Sequence, residues 1–289
     1  RGIYYRELFK QATLTPEQYR QVLTQASSEM KGSNYELAQL LIAIADRLPN
    51  DEASRSAYFT AASGISSAYE TRRVYSAMLK KGPVSPQVLA SILDHARTLN
   101  SAYEVAELLR QILAQQTLDD RNRAAFFAVV ATLHSDYERH RVLSAVLRTD
   151  RATSPAVLEG IFGQVERMTA DHERSTLMLE LLKQNSIEGN LRAPFFRAVD
   201  GIHGAYERGR VLRAVVEKPD ASRDTLKLAI QAARGLPSYE ASQLLIAIAR
   251  RDAITGDLRD AYIDAADRLS AYEQGQVLTA LVRSERRSR

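Results

Sequence analysis

The feature that most constrains this chain is a short Ser-x-Tyr-Glu segment that returns about every 34 residues along its whole length. Its acid falls at Glu36, Glu70, Glu104, Glu138, Glu173, Glu207, Glu240 and Glu273, in steps of 34, 34, 34, 35, 34, 33 and 33. Tyr stands before seven of the eight, His172 being the exception, and Ser33, Ser67, Ser101, Ser135 and Ser270 stand three positions before theirs. Ser-x-x-Glu is a helix start. The hydroxyl accepts from the amide at the Glu position, and the carboxylate is expected to reach back to the Ser amide. A unit this short cannot bury its apolar side alone, so the period predicts stacked helical hairpins that share a core with their neighbours.

Within each unit the first helix carries apolar residues four, five and eight positions after the Glu, as in Leu40, Leu41, Ile44 and Val142, Leu143, Val146. That spacing builds one face at 3.6 residues per turn. Ala stands seven positions after the Glu in six of the eight units, from Ala43 to Ala280, where a small side chain is expected to let two helices approach. A polar linker follows, and Thr15-Pro16, Ser85-Pro86 and Ser154-Pro155 open second helices as a cap followed by Pro at the first helical position. Second helices carry Tyr58-Phe59, Phe126-Phe127, Phe195-Phe196 and Tyr262-Ile263 in alternate units, and Val88-Leu89, Val157-Leu158 and Thr225-Leu226 in the others. The expected architecture is all-α, a right-handed alpha-solenoid of two-helix repeats of about 34 residues alternating in two types. It reads as one solenoid domain over 1–289. A truncated first repeat occupies 1–32, full repeats run over 33–66, 67–100, 101–134, 135–169, 170–203, 204–236 and 237–269, and a terminal half repeat ends the chain at 270–289. Because the first residues already fit a helix interior and no Met leads them, the chain is expected to be part of something longer.

Composition narrows function mainly by exclusion. Cys is absent, which removes thiolate nucleophiles, disulfide frames and zinc-finger spacings. The histidines His95, His134, His140, His172 and His203 show no i, i+4 pair of the kind that sets two metal ligands on one helical face. No Gly-rich phosphate loop or Gly-x-Ser-x-Gly elbow occurs. The expectation is therefore a non-enzymatic chain with no cofactor. Net charge is only +4, mild for an obligate nucleic-acid binder. The longest apolar run, Ala124 to Leu133, is too short to cross a bilayer and reads as a buried helix, so no membrane insertion is expected.

The unit resembles the tetratricopeptide repeat in length, without that family's Trp, Gly and closing Pro, and it follows the hairpin logic of HEAT repeats. Ser-Asp-Tyr-Glu-Arg-His-Arg-Val-Leu at 135–143 and Gly-Ala-Tyr-Glu-Arg-Gly-Arg-Val-Leu at 204–212 are similar to repeats that trail bacterial membrane zinc metallopeptidases of the beta-lactam-sensor type. That resemblance implies a sensing or regulatory module of a larger bacterial protein, periplasmic or extracellular. Without it, the chain reads as cytoplasmic.

The repeated Tyr and Glu read as structural, because a catalytic residue is needed once and a packing or capping residue in every unit. The feature left over is a basic series confined to one kind of hairpin: Arg73, Arg141 and Arg210 three positions after the Glu, joined by Arg72, Arg139 and Arg208. Each of the first three is placed to pair with its Glu at i, i+3. The sharper expectation is that the six recur on one edge and receive an acidic protein or peptide. The leading function is thus a protein-protein interaction scaffold, and the alternative is an anion or nucleic-acid binding module using the same arginines.

Overall fold

The computed structural model describes residues 2–80, 82–149, 154–251 and 254–287. It is all-α, with no strand among the described residues. The chain forms two compact units, residues 1–149 and 150–289. The first unit holds α1 (Gly2–Gln11), α2 (Pro16–Glu29), α3 (Asn34–Ile44), α4 (Glu52–Ser63), α5 (Ala68–Leu79), α6 (Pro86–Ala96), α7 (Ala102–Gln115), α8 (Arg123–Val130) and α9 (Asp136–Thr149). The second holds α10 (Pro155–Val165), α11 (Asp171–Gln184), α12 (Arg192–Asp200), α13 (Ala205–Val216), α14 (Arg223–Ala233), α15 (Ser238–Arg251), α16 (Gly256–Ala266) and α17 (Ala271–Arg287). The expected linker residue Lys81 and the Asp150-Arg151 stretch lie outside the described residues.

In the first unit α1, α3, α5, α7 and α9 pack in sequence as one row, and α2, α4, α6 and α8 as another. In the second, α11, α13, α15 and α17 form one row and α10, α12, α14 and α16 the other. This two-layer packing is consistent with an alpha-solenoid. The apolar stripe lies between the rows: Leu40, Leu41, Ile44, Val142, Leu143 and Val146 are all buried. Tyr58, Phe126, Phe195 and Tyr262 from the second helices close against it, each fully buried. The Tyr58 hydroxyl donates to the Leu41 carbonyl at 3.0 Å, and that of Tyr262 to Leu245 and Val277 at 3.2 Å, so these rings bring no unpaired polar group inside.

The caps form as half of what the sequence implies. Ser67, Ser101 and Ser135 accept from the amides of Glu70, Glu104 and Glu138 at 3.3, 3.4 and 3.3 Å. Ser33 makes no such bond. The reciprocal arm forms at Thr15 and Gln18 instead, where both halves of the box are present. The Glu carboxylates turn to arginines and to the adjacent hairpin. Of the recurrent Ala, Ala43 is exposed and Ala77, Ala145, Ala214, Ala247 and Ala280 are half-buried, and the fully buried small residues Ala38, Ala106, Ser175 and Ser242 stand two positions after the Glu.

Polar side chains tie each hairpin to the next. Asn34 accepts from the Ser66 amide at 2.9 Å, and Asp171 from the amides of His203 and Gly204 at 3.1 and 2.6 Å. At the other end of the first-row helices, cations cap the preceding helix C-terminus, where free carbonyls gather negative charge. Arg47 donates to the Phe9 carbonyl, Lys218 to Leu182 at 2.8 Å, and Arg251 to Val216 at 2.6 Å and Pro219 at 2.9 Å.

Candidate functional site

The recurrent tyrosines do not pack inside. Tyr35, Tyr69, Tyr103 and Tyr137 in the first unit, and Tyr206, Tyr239 and Tyr272 in the second, are 51 to 72% exposed. The cause is angular. At 100° per residue, the positions four, five and eight after the Glu share one side of the helix, while those one before and three, six and ten after it lie opposite. Each tyrosine therefore opens the solvent face of its helix, away from the second row. Regular spacing in the sequence marks both faces equally, which is why it suggested packing. A helical wheel drawn from the buried stripe separates the two.

Arg73, Arg141 and Arg210 stand one turn beyond their tyrosines on this same face. Their guanidiniums lie over Tyr69, Tyr137 and Tyr206 at 5.8, 5.8 and 5.6 Å from the ring centres. Arg141 also lies 5.9 Å from the ring of Tyr103 on the preceding helix, so it links two tyrosines of the row. Such contacts contribute about 0.5–1 kcal/mol at exposed sites and hold the rings in place. Each guanidinium also meets its own carboxylate at 2.8 Å, in Glu70, Glu138 and Glu207. Arg141 adds Glu107 at 2.7 Å, and Glu107 in turn takes Arg110 at 2.7 Å. Partial burial opposes charge on Arg141, but Glu107 and Glu138 outweigh it and raise its pKa. The result is a locally neutral lattice of two acids and two bases between exposed rings.

The other three arginines of the series sit elsewhere. Arg139 is buried, paired with Asp136 at 2.6 Å and donating to the Leu133 carbonyl. Arg208 pairs with Asp200 at 2.6 Å, and Arg72 with Glu104 of the next hairpin. Arg139 and Arg208 follow the Glu by one position and Arg72 by two, which turns all three toward neighbouring helices. Only the arginines three positions after the Glu, together with the ring contact of Arg72 at 5.5 Å from Tyr69, belong to the exposed strip.

The second unit carries a shorter version of the strip. His172 replaces its tyrosine, exposed and 3.4 Å from Glu207, and Ser175 donates to the same carboxylate. Partial burial pushes the Glu207 carboxyl up, yet the bonds from Ser175 and His172 and the nearby Arg210 bring it below the ordinary carboxylate value. His95 is bonded to the buried Tyr75 hydroxyl. Burial lowers the His95 pKa and raises that of Tyr75, which favours the neutral form of each. No group of three or more potential metal ligands occurs among the described residues. No helix among them is long and apolar enough to cross a membrane.

No protein-family model and no curated protein matches this chain.

Proposed function

We propose that this chain is a non-catalytic protein-binding scaffold, with the exposed tyrosine strip as its contact surface. The reading rests on one observation: seven tyrosines, each more than half exposed, recur on the solvent face of first-row helices. A ring left in water by every hairpin contributes little to a core, whereas Tyr is among the residues that anchor protein interfaces. Arg73, Arg141 and Arg210 are the arginines of the sequence series proposed to take part, with their ion pairs orienting them and their ring contacts keeping the tyrosines splayed. Arg72, Arg139 and Arg208 hold hairpins together in this reading. A partner that supplies its own carboxylates competes with Glu70, Glu138 and Glu207 for Arg73, Arg141 and Arg210.

The architecture proposed to carry this surface is a right-handed alpha-solenoid of about 34-residue hairpins alternating in two types. The strip's arginines follow that alternation, being present at Arg73, Arg141 and Arg210 and replaced at Gln39, Glu107, Thr176 and Gln243. A sensing role within a larger bacterial protein, as the metallopeptidase-tail resemblance implies, belongs to the same proposal. Anion or nucleic-acid binding is the weaker reading, because these half-buried arginines are already neutralised by carboxylates at 2.7 to 2.8 Å.

The test is affinity capture with the wild-type chain and with the triple variant Tyr69→Ser, Tyr103→Ser, Tyr137→Ser, at two salt concentrations. A partner held by the wild type should be lost by the triple variant, while the thermal midpoint moves little. Unchanged capture by the triple variant would refute the strip. Loss of capture that follows salt alone would favour the anion-binding reading.

A further inference from the structure

The face that carries the strip is not uniform, and between α15 and α17 it opens into a groove of about 1190 Å³. Its walls are Ile246 and Arg250 on α15 and Tyr272, Gly275, Gln276 and Arg283 among others on α17. In the first unit Arg141 crosses the corresponding surface, from its own Glu138 to Glu107 on the adjacent helix. Here Gln276 replaces the arginine, Gly275 has no side chain, and the Glu273 carboxylate accepts from Ser270.

Its charge is one-sided. Arg250 and Arg283 are the charged residues of its wall, both exposed, and the lining holds no acid among the described residues. Both stand ten positions after their Glu, at the opposite end of the groove face from the Tyr272 ring. The floor between is formed by Ile246, Ala280 and the backbone at Gly275. An aromatic ring at one end, an apolar floor and two unanswered cations at the other define a receptor for an acidic, partly apolar segment.

We propose that the α15–α17 groove binds an extended acidic peptide, with its carboxylates on Arg250 and Arg283 and an apolar side chain on Ile246. The proposal rests on the scaffold reading and names one docking site within it. The two arginines stand on adjacent helices, whose axes pack about 8–10 Å apart. Carboxylates two residues apart in an extended chain lie on one face about 7 Å apart at roughly 3.3 Å per residue, a step that two long arginine side chains on adjacent helices can meet. Single-stranded nucleic acid fits less well: its charges follow one another every 3.4 Å or so along a strand, and two cations at the wider spacing leave most of them unmet.

Gly275 makes the proposal testable without disturbing the fold. A Cβ placed there meets nothing within 4 Å, so a larger side chain has room to grow into the groove. The probe is a fluorescein-labelled Leu-Asp-Leu-Asp-Leu-Leu peptide, whose two Asp and last Leu share one face when extended, read by anisotropy against the full chain. A matching peptide with Lys in place of Asp and a ten-nucleotide oligo-dT serve as comparisons. The acidic peptide should bind saturably and the Lys peptide at least tenfold more weakly. Gly275→Leu should cut acidic-peptide affinity at least tenfold with its helical signal and melting intact, as should Arg250→Glu with Arg283→Glu. Absence of saturable binding, equal binding of the two peptides, or full affinity in either variant would overturn the groove. So would tighter binding of the oligonucleotide. Partner capture that disappears with the tyrosine triple variant but survives Gly275→Leu would retire this site and leave the scaffold reading standing.

Discussion

Glu188 shows how much one side chain can hold together. It lies before α12, and its carboxylate accepts from the Ser222 amide at 3.0 Å, the Ser222 hydroxyl at 2.7 Å, Thr225 at 2.6 Å and Arg192 at 2.7 Å. Partial burial pushes its pKa up, but the bonds from Thr225, Arg192 and Ser222 win and bring it down to about 2. The sign follows from linkage: a folded value below the unfolded one makes a carboxylate stabilising when ionised. Its contribution is complete above the unfolded value, near 4.3, and fades as pH falls toward 2. Glu188→Gln should therefore lower stability at pH 7 by about 1–2 kcal/mol, an order of magnitude taken from the size of the shift and reduced for solvent screening of a partly exposed carboxylate. The deficit should shrink steadily between pH 4.5 and 2. Urea titrations of both proteins at several pH values check it; a deficit of the same size at pH 2.5 would show that the loss is not electrostatic.

At the level of the helix, capping divides hairpins that the sequence makes look alike. Ser101 caps α7 through the Glu104 amide, whereas Ser33, in the same motif before α3, has no side-chain cap bond. Ser101→Ala should cost about 0.5–2 kcal/mol, the usual loss for a cap. Ser33→Ala should stay within about 0.5 kcal/mol, as for a surface change that removes no bond. Equal losses in thermal melts of the two variants would contradict this. The buried stripe was legible because helical periodicity reports directly which side of a helix meets apolar neighbours, and Leu40, Leu41 and Ile44 are buried as that period requires. The Ser-Pro starts at Ser85 and Ser154 were legible for a similar reason: cap and Pro act within one turn, so their meaning is local. What was not legible depends on the neighbouring hairpin. Recurrence alone could not tell the exposed Tyr103 from a packed ring, nor show that the small residue two positions after the Glu, as at Ala106, is fully buried. The carbonyl clamps of Lys218 and Arg251 left no pattern at all, because their partners are backbone atoms 30 to 36 residues earlier and any sequence supplies a carbonyl.

On the scale of the whole chain, the long-range polar ties found within each unit share one reach. The bonds from Arg6 to Glu36, Arg47 to Phe9 and Ser76 to Gln111 in the first unit span 30, 38 and 35 residues, and those of Glu188 and Arg251 in the second span 34 and 35. A network made of such steps joins each hairpin to its neighbour and to nothing beyond it, so stability accumulates as a sum of hairpins and adjacent interfaces. Each unit also has its own buried stripe and its own clamps, and dividing the chain at residue 149 removes none of the ties named here. Fragments 1–149 and 150–289 should therefore each remain helical and unfold cooperatively. Because denaturant dependence scales with the surface exposed on unfolding, each fragment should show roughly half the urea slope of a chain that unfolds in one step. A globule with a single central core would behave differently, since either half would lose most of its apolar contacts on separation. Circular dichroism and urea melts of both fragments decide between the two: fragments that lack helix in the absence of the other half would mean that stability here is shared globally rather than passed from hairpin to hairpin.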